Sequence, residues 1–330
     1  MMEINNAYID KLTEACLAGK SMNRQDIIGI IRLDPLSHEA LYLRKKAHQV
    51  ALEVTRGSAY LWGAMGIDYA TCKMNCKFCT FGNAWGLVKE NKYYTTEEIL
   101  AQMEEYLNSN VHYIVLRTTE DYSIEELCSM AGLLRRSLPG NYELILNIGD
   151  FDGKTAQKIY DSGVDGVYHA LRLREGEDTN FDPSVRKATL KAVENSPLKL
   201  ISLVEPVGME HSPEELADNF LSILDHGADI SGVMARVPVK GTPLGDAYPM
   251  VSKAWIAQLT AVFRLAGGAK LPNICTHPSS HEVATSGANV FVVETGAVPR
   301  EDQKVDEMWN CRTATGAATI FSQAGFKVKP

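Results

Sequence analysis

The residues best suited to chemistry are Cys72, Cys76 and Cys79, in the run Cys72-Lys-Met-Asn-Cys76-Lys-Phe-Cys79. The spacing is C-x3-C-x2-C, and no further cysteine follows until Cys128. A closed structural zinc site takes four ligands, usually delivered as two short pairs. Protein-bound iron–sulfur clusters are held by thiolates, commonly four of them. Three close thiolates therefore predict a cuboidal [4Fe–4S] cluster with one iron open to an outside ligand. An incomplete site of this kind is suited to catalysis. Two other arrangements use the same residues: a zinc knuckle with a remote fourth ligand, or an electron carrier completed by Cys128, Cys275 or Cys311.

The elements around this loop change character along the chain. The first sixty residues read as helices over 6–18, 23–31 and 38–54, with apolar residues at helical spacing and Gly19 and Gly57 as stops. Such an extension could cover the bottom of a barrel. Beyond residue 64 strand and helix patterns alternate. Candidate strands lie at 65–70, 112–117, 143–148, 166–172, 199–204, 232–237, 273–276 and 289–294. Candidate helices lie at 96–107, 124–137, 154–162, 183–195, 213–226, 252–265 and 302–324, the first opened by a capping box, Thr95-x-x-Glu98. Eight such units predict an α/β fold, a (β/α)8 TIM barrel over 64–330 behind an N-terminal helical cap over 1–63. Active-site groups in such a barrel sit at the C-terminal ends of the strands.

The cysteine run resembles the signature of the radical S-adenosylmethionine (SAM) superfamily. That resemblance implies that SAM chelates the open iron through its amino and carboxylate groups. One electron then passes to the sulfonium, and a 5′-deoxyadenosyl radical removes hydrogen from a substrate. Phe78 would pack beside the adenine. After the second strand, Thr118, Thr119 and Glu120 stand where relatives carry a Gly-Gly-Glu turn for the SAM ammonium, with two threonines in place of glycines. Arg186 is similar in position to an arginine that pairs with the SAM carboxylate, a match of guanidinium to carboxylate geometry.

Arg172 and Arg174 alternate onto one face if the fourth strand continues through them, with His169 on the other, and two such arginines predict an anion ligand. Gly208 and Glu210 loosely match the adenine-flanking stretch of the superfamily, one residue short, and Glu205 stands where a smaller residue is usual. Lys240-Gly-Thr-Pro-Leu244 closely resembles a run of biotin synthase, and Ser286-Gly-Ala-Asn289 matches its turn before the eighth strand. The resemblance runs from about Met65 to Gly325 and is to the biotin-synthase-like group. That group includes a hydrogenase maturase, methylornithine synthase and archaeal lipoyl synthases.

Biotin synthase itself holds a second cluster in its barrel on three cysteines and an arginine. Near those strand positions this chain has Leu116, Leu146 and Ser202, and only Cys275 has a plausible inward place. Ordinary biotin formation is therefore not expected. Arg117, Asn147, Arg172, Arg236, Lys240 and the 275–281 stretch give the mouth a net positive reading, which predicts a carboxylated or amino-acid-like substrate. Arg236 and His277 are the first candidates for holding it.

The leading expectation is hydrogen abstraction from a small anionic substrate, leading to rearrangement, cleavage or coupling. Sulfur insertion with a partner or external sulfur source is the second, and a non-catalytic iron–sulfur carrier the third. The resemblance implies reduced flavodoxin or ferredoxin as electron donor. The 330 residues are 45% hydrophobic and 22% charged, and the net charge of −8 argues against nucleic acid as a partner. No apolar run approaches the roughly 20 residues of a membrane span. The start of the chain has no signal-peptide pattern, so the expected setting is the cytoplasm of an anaerobic cell.

Overall fold

The computed structural model describes residues 4–120, 122–296 and 313–330. Three helices come first: α1 (Asn6–Leu17), α2 (Arg24–Ile31) and α3 (His38–Val54), each capped by an Asn or Ser side chain. Arg56 and Gly57, both at positive φ, end α3 and turn the chain directly into the first strand.

Eight strands then close into a ring. They are β1 (Ser58–Gly66), β2 (Tyr113–Arg117), β3 (Glu143–Asn147), β4 (Gly166–Tyr168), β5 (Lys199–Ile201, resumed as Val204–Val207), β6 (Ile230–Ala235), β7 (Asn273–His277) and β8 (Val290–Gly296). Each pairs in parallel with the next, and β8 returns to β1 with Ala64 opposite Glu294. The crossovers are α4 (Thr96–Asn108), α5 (Ile124–Ser137), α6 (Gly153–Asp161), α7 (Pro183–Glu194) and α8 (Pro213–Asp225), then α9 (Pro243–Ala247), α10 (Lys253–Gly267) and α11 (His281–Ala284). A last helix, α12 (Ala314–Gln323), follows β8, and Lys327–Val328 pairs with the start of β1. The chain is a (β/α)8 barrel. Among the described residues no helix is long and apolar enough to cross a membrane.

One expectation is corrected here. The first strand starts at Ser58, not Met65, because the small and apolar run from Ser58 to Ala64 carries no clear alternation. Helices α1–α3 pack on α10 and α8 of the outer ring, and α1 and α3 also meet the Gly268–Lys270 turn that leads into β7. The helix expected at 302–324 is described only as α12, and Cys311 lies outside the described residues.

The two-residue period of each strand decides what reaches the lumen. Trp62, Val115, Ile145, Tyr168, Ile201 and Cys275 belong to an inner cluster inside the barrel. Leu116, Leu144, Leu146, Val167 and Leu200 belong to the larger core shared with the helices. Leu116 and Leu146 therefore face outward. Ser202 also sits on the helix side, beside Asn219 and His226. The inward positions on those strands are Val115, Arg117, Ile145, Asn147, Ile201 and Leu203.

Gly232 shows how tightly the ring is closed. Its φ is +143°, and a Cβ there would lie 1.9 Å from the carbonyl oxygen of Cys275 on the paired strand. Gly232→Ala combines backbone strain with overpacking, each about 1–3 kcal/mol. The expected result is a loss of about 2–6 kcal/mol of stability, read from the urea midpoint. A midpoint within error of the parent would mean that β6 and β7 do not approach this closely.

Candidate active site

The cysteine loop leaves β1 and folds back on itself. Short antiparallel pairing of Asp68–Tyr69 with Lys92–Tyr93 closes its base. Within it, the Cys72 N–H donates to the Phe81 carbonyl at 2.7 Å, and the Cys79 N–H to the Cys76 carbonyl at 2.9 Å. Asn75 takes a left-handed conformation, φ 44°, and its side chain accepts from the Ala84 N–H. Gly82 has no room for a side chain, since a Cβ would meet the Trp85 indole nitrogen at 2.3 Å. That indole donates to the Cys76 carbonyl.

Two other strand ends brace the loop. Lys77 reaches Asp178 through both its backbone N–H and its ammonium, and Asn180 donates to the carbonyls of Met74 and Lys73. The Leu244 N–H, from the Lys-Gly-Thr-Pro-Leu run, donates to the Lys77 carbonyl at 2.9 Å. The loop is thus set before any ligand binds.

Burial pushes the Cys76 and Cys79 thiols up, and neighbouring thiols of the set add to the effect. Holding them as thiolates takes a bound cation. Among the described residues no group of three or more His, Cys, Asp or Glu side chains closes around a single ion. Thiolates on a cuboidal cluster sit on separate irons and need no such closure.

Cys79 and Phe78 open into a cavity at the barrel mouth. Its apolar wall is Trp62, Ala64, Val115, Met234, Val237 and Val292. Its polar wall comes from strand ends, as the fold dictates: Arg117 and Asn147, Tyr168 and Arg172, Glu205, Arg236, and His277 with Glu294.

These charges are paired. Arg117 meets Glu294 at 2.9 Å across the small residues of β1, and Glu294 also lies 3.5 Å from His277. Arg236 grips both oxygens of Glu210. Arg172 is shared between Glu205 at 3.3 Å and Glu175 at 3.6 Å. Burial works against its charge, yet those two carboxylates hold its pKa above the ordinary arginine value. The Tyr168 hydroxyl donates to Glu205, whose carboxyl burial pushes up. Behind this layer Arg186 contacts Asp150 at 3.3 Å and donates to the Ala170 carbonyl. Burial and the neighbouring Arg186 push His169 down to about 4, so it stands neutral beside Asp150. Glu120 is pushed up by burial, near Arg186.

The sequence-predicted residues divide accordingly. Phe78, Arg172, Arg236 and His277 line one cavity with Cys79, and Glu210 is tied to it through Arg236. Glu120 and Arg186 form the layer behind. Thr119 is engaged by Asp68 through its N–H and its hydroxyl, and Thr118 donates to the Asn147 carbonyl. Arg174 does not share a face with Arg172. β4 ends at Tyr168, the following turn puts Arg174 at φ 54°, and its guanidinium goes to Glu215 and the Glu210 carbonyl. Lys240 is exposed.

The net positive mouth is also corrected: four guanidiniums (Arg117, Arg172, Arg186, Arg236) stand among six carboxylates (Glu120, Asp150, Glu175, Glu205, Glu210, Glu294). Glu294 and Tyr168 were not singled out by their types, and Glu205 was noted only as larger than the residue usual at its place. Their place on inward strand positions is the signal that could have found them.

No family model matches the chain. It is similar to biotin synthase of Sulfurihydrogenibium sp., 23% identical over 326 residues, 90% of this chain and 93% of the relative. It is equally similar to biotin synthase of Persephonella marina, 23% identical over 96% of this chain and 98% of the relative. Among solved structures, methylornithine synthase (PylB) superposes with a TM-score of 0.79 over 97% of both chains at 17% identity. HydG, a maturase of the [FeFe]-hydrogenase, gives 0.79 over 98% of this chain and 76% of its own, at 12% identity. By these likenesses the chain resembles the radical SAM superfamily, in its biotin-synthase-like group.

The residues present fit a radical SAM site. Among the described residues three thiols converge on the mouth without a fourth, and the buried layer beside them has more carboxylates than guanidiniums. SAM carries a sulfonium and an ammonium against one carboxylate, so its net charge is of the sign this layer lacks.

Proposed function

We propose that the protein is a radical SAM enzyme, with a [4Fe–4S] cluster and SAM as its cofactors, and that it removes hydrogen from a small polar molecule held in the lumen, in a rearrangement, cleavage or coupling reaction. When bound and reduced by one electron, the cluster and SAM supply the 5′-deoxyadenosyl radical for that step. The observation carrying the reading is that Cys79 and Phe78 line the same cavity as the inward charges of β2, β5, β6, β7 and β8. A non-catalytic carrier has no use for such a cavity. A reduced flavodoxin or ferredoxin is the class of electron donor we assign.

The chain's own residues divide the work. Cys72, Cys76 and Cys79 hold the cluster, and Phe78 covers the adenine. Glu120 and the carbonyls of the Thr118–Thr119 turn face the SAM ammonium. Arg172, which lines the cavity, takes the SAM carboxylate, and Arg186 holds Asp150 and Glu175 in place behind it. Glu210 and Arg236 form one wall, and the Tyr168–Glu205 pair another.

The test is anaerobic reconstitution, reduction with dithionite and measurement of 5′-deoxyadenosine from SAM. Formation above a no-enzyme control supports the reading, and none at all sinks it. Truncating one partner of a buried charge pair costs about 2–5 kcal/mol, so Arg172→Ala is expected to raise the SAM Kd at least about tenfold. Arg186→Ala is expected to act mainly on melting temperature. A larger Kd effect in Arg186→Ala than in Arg172→Ala would reverse the two assignments.

A further inference from the structure

We infer that the substrate is a small amino acid, its ammonium received by Glu205 and its carboxylate by the Nε–H of Arg236. This rests on the proposed hydrogen abstraction and specifies what the same cavity takes. Glu205 ends β5 and Arg236 follows β6, and these strands are neighbours in the ring. Both side chains line the cavity although each residue is at least nine-tenths buried.

Glu205 is short of positive charge. Among the described residues its ion pair is with Arg172, which is shared with Glu175, Arg186 acts on it only from farther off, and the Tyr168 hydroxyl supplies a neutral hydrogen bond. A buried carboxylate held this way gains from a second cation. Burial raises its pKa, in keeping with that deficit.

Arg236 has the opposite vacancy. Both terminal nitrogens are taken by Glu210, while Nε is buried with no hydrogen-bond partner. A buried donor left without a partner is costly, and a ligand oxygen would recover that cost. The guanidinium packs directly on Gly208, where a Cβ would lie 2.4 Å from its Nη2. One vacancy for a cation and one for an anion, on adjacent strands, match groups carried on one carbon. The apolar wall of Trp62, Val115, Met234 and Val292 then takes the carbon skeleton, placing an aliphatic C–H in the open lumen. A simple anion fits poorly, because Glu205 and Glu294 stand in the same cavity and would repel it.

The test uses reconstituted, SAM-loaded enzyme and the twenty protein amino acids, each with its N-acetyl and carboxamide derivative, by thermal shift and calorimetry. At least one free amino acid is expected to bind, with both derivatives at least about tenfold weaker. In Glu205→Gln the penalty for N-acetylation should collapse while that for amidation persists, and Arg236→Lys should show the reverse. A merely structural role would not produce that crossed pattern. The wild-type comparison stands even where a variant fails to fold. The inference is overturned if no free amino acid binds, if derivatives bind as well as the parent, or if folded variants keep both penalties. Dithionite-driven SAM cleavage on the same preparation separates the two readings. Cleavage without amino-acid discrimination sinks this inference alone, and absent cleavage sinks the proposed function.

Discussion

Replacing any one of Cys72, Cys76 or Cys79 by alanine is expected to remove most of the iron and all reductive SAM cleavage. The cluster we propose has three protein ligands, so losing one removes a third of its anchorage, and the other thiols among the described residues lie outside the loop. Cys16 is buried in α1, Cys128 in α5 and Cys275 in the lumen core. The fold should survive, because the loop is braced by hydrogen bonds that do not use the thiols: Lys77 to Asp178, Asn180 to Met74, Leu244 to Lys77. Iron and sulfide content, circular dichroism and 5′-deoxyadenosine formation measure the three parts of this expectation. Wild-type cleavage in any single variant would remove the cluster assignment. One equivalent of zinc in place of iron in the parent protein would restore the zinc-knuckle reading.

The strands were legible because seven of the eight carry short apolar runs bounded by caps and turns. Expected and observed spans at 112–117, 143–148 and 273–276 agree to within a residue at each end. β1 was misplaced because it is inward-facing and outward-facing with equally apolar residues, so no alternation marks where α3 gives way to it. The motif residues Cys72, Cys76, Cys79 and Phe78 were readable from spacing alone, since a chelating loop is local.

The polar wall was not. A sequence names Arg117, Arg172 and Arg236 as cations but not their partners. Glu294 lies 177 positions from Arg117, Glu205 lies 33 from Arg172 and Glu210 lies 26 from Arg236. Burial requires each guanidinium to be neutralised, and closure of the barrel decides by what. Arg174 failed for a different reason. Its face was assigned by strand period, but the strand had already ended, and a left-handed turn sent it to α8.

The second large expectation is an iron count. Reconstituted enzyme should hold about four irons per chain, and Cys275→Ser should leave that number unchanged. Sulfur insertion of the biotin-synthase kind draws on a second cluster inside the barrel, and stable clusters commonly take four thiolate ligands. Among the described residues Cys275 is the one cysteine in the inner cluster. The inward positions that might have joined it are Val115, Ile145 and Ile201, none of which binds iron. Nearby histidine does not make up the deficit: His277 is a single residue already within 3.5 Å of Glu294. Burial also pushes the Cys275 thiol up, so it rests as a neutral, packed side chain beneath the cavity. Free cysteines often serve as small hydrophobes in this way. A count near eight irons, or a second paramagnetic signal lost on Cys275 replacement, would overturn this and revive sulfur insertion. At four irons the space above Cys275 is left to the substrate, and the carboxylates and guanidiniums around it act on that molecule rather than on a second metal centre.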